Sequence, residues 1–183
     1  MNSATRAYAF HREGGERLRW GEVETLVKAS GAATDGAFAL FEEIEPVDTP
    51  LHVHEREDEL FFVLEGEHVF QVGEDEFRVG PGGLVFAPRG VPHAQRRVVP
   101  RTGRVLVLTV PAGLEGFFRE LADADRAGTL GPEAYAGASE RHGITWLTPA
   151  DARVPGRPLH TGTRQRVTAD TQTMTEETSC SGA

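Results

Sequence analysis

The chain has 183 residues, 39% of them hydrophobic, with 19 Lys and Arg against 28 Asp and Glu, a formal net charge of −9. That length fits one domain with its own core, and the acidic balance argues against nucleic acid and anionic membrane surfaces as partners. The single cysteine, Cys180, excludes an intramolecular disulfide; no apolar run reaches signal-peptide length or the ~20 residues of a membrane span, which reads as a cytoplasmic protein.

Residues 1–20 are polar with scattered aromatics (Tyr8, Phe10, Trp20) and read as an N-terminal arm or an edge strand. Alternation then predicts strands over 22–28 and 36–44, with 31–36 as the turn between them. His52 to His54 follow Pro50 as a short strand. Glu55 to Asp58 make a charged turn, and 59–64 form a strand broken by Gly66. Further strands fall at 69–72, 77–79, 84–87 and 104–110, separated by Gly73-Glu74-Asp75-Glu76, Gly80-Pro81-Gly82-Gly83 and Pro88-Arg89-Gly90. Many short strands with glycine turns predict an all-β antiparallel barrel or jelly roll. After Pro111 the period changes: Leu114, Phe117, Phe118 and Leu121 fall at i, i+3, i+4 and i+7 of a helix. Pro132 opens a second short helix that Gly143 closes. The expected organisation is an arm over 1–20, one domain over 21–148 with helices from about 113, and a flexible tail over 149–183 rich in Thr, Ser and Gly. The apolar helix face packs on the barrel or on a second copy, and open strand edges need cover, so a homodimer is expected.

The chemistry concentrates in Pro50-Leu51-His52-Val53-His54-Glu55-Arg56-Glu57-Asp58-Glu59 and Pro88-Arg89-Gly90-Val91-Pro92-His93. Residues i and i+2 of a strand share a face, so His52 and His54 project together. Glu59 sits at an odd offset from His54, and the turn at 55–58 lets it start the neighbouring strand facing the same cavity. His93 arrives from a separate hairpin. Three imidazoles and one carboxylate form a site for one divalent transition metal (Fe, Mn, Ni, Co, Cu or Zn) with positions left open. His68, Phe61, Phe70, Phe86 and Gln95 are candidate pocket residues, with Phe41 and Arg97 beside them. Taken singly, a His-x-His pair or an acidic run is more often solvated surface, and a phenylalanine stripe more often core.

These residues resemble the two motifs of the cupin superfamily. His52, His54, Glu59 and Gly66 match the first, G-x5-H-x-H-x3,4-E-x6-G, with Pro46 where the opening glycine stands. Gly82, Pro88, Gly90 and His93 match the second, G-x5-P-x-G-x2-H-x3-N, with Arg97 in place of the asparagine. The resemblance implies a double-stranded β-helix, the jelly-roll barrel. It also implies His52, His54, Glu59 and His93 as metal ligands, with Glu59 as the group that takes a substrate proton. The run from Glu57 to Glu67 is similar to small single-domain bacterial cupins of the quercetin-dioxygenase-like type. This implies an oxygenase that uses O2 on an aromatic or enol-containing small molecule of flavonol or polyketide type. The alternatives are a non-redox metal-dependent polyketide cyclase or isomerase, and a non-catalytic cupin that binds a small ligand.

Overall fold

A computed structural model describes residues 6–99 and 103–148. The tail expected over 149–183, with Cys180, lies outside the described residues. In chain order the elements are β1 (Glu16–Trp20), β2 (Val23–Ala29), α1 (Gly31–Thr34), β3 (Ala39–Ile44), β4 (His52–His54), β5 (Asp58–Glu65), β6 (His68–Val72), β7 (Asp75–Val79), β8 (Leu84–Ala87), β9 (His93–Arg97), β10 (Arg104–Val110), α2 (Leu114–Arg126), α3 (Pro132–His142) and β11 (Ile144–Trp146). The strands form two antiparallel sheets, β1-β2-β3-β10-β5-β8 and β11-β4-β9-β6-β7. This is the jelly-roll sandwich that the strand spacing predicts.

Period-two alternation decides which side chains fill the space between the sheets. On β5, Glu59, Phe61 and Val63 are buried while Leu60 and Phe62 face outward. Register carries the same face across the sheet: Val107 lies between Phe41 and Phe61, and Val105 between Glu43 and Val63. Glu43 therefore occupies an inward position in a row of apolar neighbours. The first strand, left open as arm or edge strand, is an edge strand paired residue by residue with β2, so the barrel begins at Glu16 and not at Gly21. The turn expected over 31–36 contains one helical turn, α1, closed by Asp35 at φ 53.

The helices close one end of the barrel. On α2, Leu114, Phe117 and Leu121 are buried. Phe118 stacks on Trp20 at 5.2 Å between ring centroids and meets Phe41 edge-on at 5.1 Å. The apolar helix face is thus taken up by its own barrel. Gly113 supplies no capping side chain to α2, and Glu115 replaces it, accepting hydrogen bonds from Gly113 N (3.0 Å) and Gly31 N (2.6 Å). Pro132 starts α3, and Gly143, at φ 70, ends it. That left-handed residue turns the chain back, so β11 adds to the free edge of β4, with Ile144 opposite His54 and Trp146 opposite His52. On the outer face of the larger sheet Phe62, Leu84, Phe86 and Val110 are exposed. Among the described residues no helix is long and apolar enough to cross a membrane.

Candidate metal centre

His52 and His54 come from β4, His93 from β9 directly opposite His52, and Glu59 from β5 in the facing sheet. The sequence places Glu59 on the strand next to His54. Instead the turn at 55–58 carries the chain across the barrel rim to the other sheet. One sheet supplies three imidazoles and the other the carboxylate, so the cluster bridges the sandwich. All four side chains are buried, and one ligand atom from each lies within 4.8 Å of the others. Glu59 Oε2 is 2.9 Å from His93 Nε2 and 3.7 Å from His54 Nε2.

The imidazoles are oriented from behind. His52 Nδ1 donates to the Pro50 carbonyl at 2.8 Å and His93 Nδ1 to the Val91 carbonyl at 3.1 Å, both two residues back in the chain. Each bond orients the ring and, in its neutral form, favours the tautomer whose Nε2 lone pair could bind a metal. Pro50 and Pro92 thus belong to the site through the rigid turns that aim these carbonyls. Burial, reinforced by His93 and His54, lowers the His52 pKa to about 3, the neutral form a metal requires. Burial works to raise the Glu59 carboxyl, but His54 and the His93 hydrogen bond override it and hold the group at about 2, ionised. Burial also works to lower His93, and the Glu59 carboxylate reverses that and raises it. The donor set, its charge states and its geometry all fit a divalent transition ion.

The third imidazole has a different partner. His54 Nδ1 lies 3.9 Å from Glu57 Oε2, and neither atom has another hydrogen-bond partner. Glu57 is 3% exposed, and burial raises its pKa to about 7. Two orphaned polar atoms this close need only a small shift to form a charge-assisted hydrogen bond once His54 is a ligand. Gly113 makes room: a Cβ there would lie 2.9 Å from Glu57 Oε1. Glu57→Ala is expected to weaken zinc binding by roughly 10- to 100-fold, the usual cost of losing such a partner, with the fold intact by circular dichroism. Unchanged affinity in a calorimetric titration would reduce Glu57 to packing.

A cavity of about 410 Å³ opens over the cluster. His52, His54 and Glu59 face it, and the walls are largely aromatic and aliphatic, from Phe61, Leu114, Phe117, Phe118, Ile144 and Trp146. His93 is not among the lining residues and completes the cluster from behind.

A family model described as cupin domain matches residues 40–109. Over these residues the chain carries a cupin domain. An RmlC-like cupin from Shewanella frigidimarina superposes with a TM-score of 0.51 at 18% identity, over 60% of this chain and 96% of that one. KdgF from a Halomonas species gives 0.50 at 17%, over 58% and 96%. These two likenesses show the fold. The polyketide cyclase RemF from Streptomyces resistomycificus is 28% identical at a TM-score of 0.48, over 57% of this chain and 80% of that one. Among curated proteins none matches.

The remaining candidates divide by position in the barrel. Phe61 and Gln95 line the cavity. Phe70 does not: it is 1% exposed and packs under Phe61 at 4.9 Å, as core. Phe41 is likewise core, beneath Phe118. Phe86 is 49% exposed on the outer face of β8, because the buried positions of that strand are Val85 and Ala87. His68 does point inward, but it pairs with Arg97, four residues along β9 from His93, and so lies at the far end of the barrel. Its ring fills the space beside Gly103, where a Cβ would meet Nε2 at 2.6 Å, and its Nε2 contacts the Glu65 carbonyl at 3.3 Å. Arg97 turns outward to Asp48. Glu43, Glu57 and Trp146 join the site without having been candidates by motif. For Glu43 the sequence does carry a signal, a carboxylate in phase with Ala39 and Phe41 on an otherwise buried face.

Proposed function

We propose that this cupin is a metal-dependent dioxygenase acting on an aromatic or enol-containing small molecule. The observation that carries the reading is a buried three-histidine, one-glutamate cluster with one side open to a cavity walled by aromatic side chains. A divalent transition ion, when bound, supplies Lewis acidity toward an enol or phenol oxygen and the redox chemistry that dioxygen requires. His52, His54, His93 and Glu59 are the residues to hold it. Glu59 is ionised and faces the cavity, so it is the group placed to take the enol proton. Phe61, Phe117 and Trp146 present flat apolar surface to an aromatic ring and keep water from the activated carbon. Both atoms of O2 enter the product in this reading. The homodimer of this reading joins through the exposed strip of Phe62, Leu84 and Phe86 on the outer sheet face, since the helix face is already used.

A second reading, a non-redox cyclase or isomerase, is favoured by one observation. Glu43 lines the same cavity with its carboxyl raised by burial to about 7, a value suited to moving protons at neutral pH. Protein loaded separately with Fe(II), Mn(II), Ni(II) or Co(II), mixed anaerobically with flavonol and then exposed to oxygen, separates the two. Oxygen consumption matched to substrate loss supports the dioxygenase. Product formed before oxygen is admitted sinks it and leaves the cyclase or isomerase. Flavonol bound without turnover in every metal form leaves a binding protein.

A further inference from the structure

We propose that Glu43 and Gln95 form a recognition site, away from the metal ligands, that selects a substrate carrying a neutral hydroxyl and rejects one carrying a carboxylate. The inference rests on the reading above that the cavity takes an aromatic enol.

The two residues meet across the sandwich. Glu43 comes from β3 in the larger sheet and Gln95 from β9 in the smaller one, and both line the cavity. Gln95 Nε2 donates to Glu43 Oε2 at 3.3 Å. Gln95 is 2% exposed, and its backbone is pinned on both sides by Thr49: Gln95 N donates to Thr49 Oγ1 and Thr49 N to the Gln95 carbonyl, each at 2.9 Å. The backbone that carries the amide is thus fixed beside the carboxyl. It occupies one of the carboxyl's several acceptor positions, leaving capacity for a further donor. Glu43 itself stands on a strand face whose other members, Ala39 and Phe41, are fully buried, and its strand partner Thr25 is buried too. A carboxyl at such a position costs stability, which is expected where a ligand uses it.

Charge then sets the selectivity. Among the described residues lining the cavity none is a lysine or arginine, while four carboxylates are present: Glu24, Glu43, Asp48 and Glu59. Glu24 is ion-paired with Arg17 and Arg19, and Asp48 with Arg97, so these two are answered from outside the cavity. Glu59 is answered by the imidazoles. Glu43 is met by a neutral amide. Above about pH 7, where Glu43 is ionised, a ligand hydroxyl can donate to it, whereas a ligand carboxylate brought beside it is desolvated next to like charge, with no lysine or arginine among the described lining residues to pair it.

The experiment uses zinc-loaded full-length protein, so that oxygen consumes no probe, at about pH 8, above the Glu43 pKa, and reads binding by fluorescence titration. The probes are flavonol, a set of flavonols each with one added ring hydroxyl at a different position, and the matching set with a carboxylate. In the wild type at least one hydroxylated probe is expected to bind roughly 10- to 100-fold more tightly than flavonol, the range of a hydrogen bond to a charged group, with every carboxylate probe weaker than flavonol. In Glu43→Leu with Gln95→Leu, both preferences, each taken relative to flavonol on the same protein, are expected to collapse to within about 3-fold, with circular dichroism and zinc content reading that the variant is folded and loaded. If flavonol binds but no hydroxyl improves it, or the double variant keeps the same order of probes, the recognition site is wrong and the functional reading stands. If no probe binds the zinc-loaded protein, the functional reading falls and this inference with it.

Discussion

Replacing His93 by alanine is expected to abolish tight metal binding and to remove the stability that metal confers. His93 is the member of the cluster whose loss is felt twice. Its Nε2 is one of four candidate donors, and it is also the hydrogen-bond partner of the buried Glu59 carboxylate at 2.9 Å. Wild-type protein at a zinc concentration about 100 times its Kd gains about 2.7 kcal/mol, or roughly 5–10 °C in Tm for a domain of this size. His93→Ala should show no such rise and at least a ~100-fold loss of affinity. The metal-free variant should also be less stable than metal-free wild type by about 3 kcal/mol, because a buried carboxylate is left without its partner. His93→Gln separates the effects, restoring a donor to Glu59 and part of the metal-free stability but not the zinc response. Differential scanning fluorimetry with and without zinc reads all three proteins. A full zinc response in His93→Ala would remove it from the ligand set.

Glu43→Gln is expected to stabilise the metal-free protein, and to do so only at higher pH. Burial, followed by repulsion from Glu59, raises the Glu43 pKa from 4.5 to about 7. Between those values the folded protein retains a proton that the unfolded chain has already lost. Stability therefore falls as pH rises through that window and levels off above about 7. A shift of this size corresponds to about 3 kcal/mol at most, and the cavity beside the carboxyl lowers the expectation to about 1–3 kcal/mol. Glutamine keeps the shape and the hydrogen bond to Gln95 without the charge. Urea unfolding in the presence of a chelator should find variant and wild type nearly equal at about pH 5, with the variant ahead by that amount at about pH 8. Glu57 is raised into the same window in both proteins, so the difference between them isolates Glu43. An equal gain at both pH values would mean that packing, and not charge, is responsible.

The two predictions draw on different kinds of information. His93 is legible in the sequence because Pro88, Gly90 and Pro92 mark a rigid turn ahead of it, and because His52 and His54 share a strand face by alternation alone. The helix pattern at Leu114, Phe117, Phe118 and Leu121 is equally local, and α2 forms there. Phe86 shows where such reasoning stops. It lies on a genuine strand, but phase relative to the core decides its direction, and Val85 and Ala87 hold the inner positions. His68 shows a second limit, since it faces inward yet lies four residues along from the cluster, a distance set by the β6–β9 register.

By itself, the sequence determined the strand-rich class, the four residues of the candidate metal cluster and the turns that present them. These depend on residue type, on spacing within a few positions and on the conformational limits of proline and glycine. Only the tertiary structure decided that Glu59 answers the histidines from the opposite sheet, that Glu57 stands behind His54, that Trp146 returns beside His52, and that Glu43 meets Gln95 across the barrel. Each of these is a pairing between residues remote in the chain or a crossing between sheets, fixed by long-range register and by the closing of one sheet over the other. No local period encodes that information.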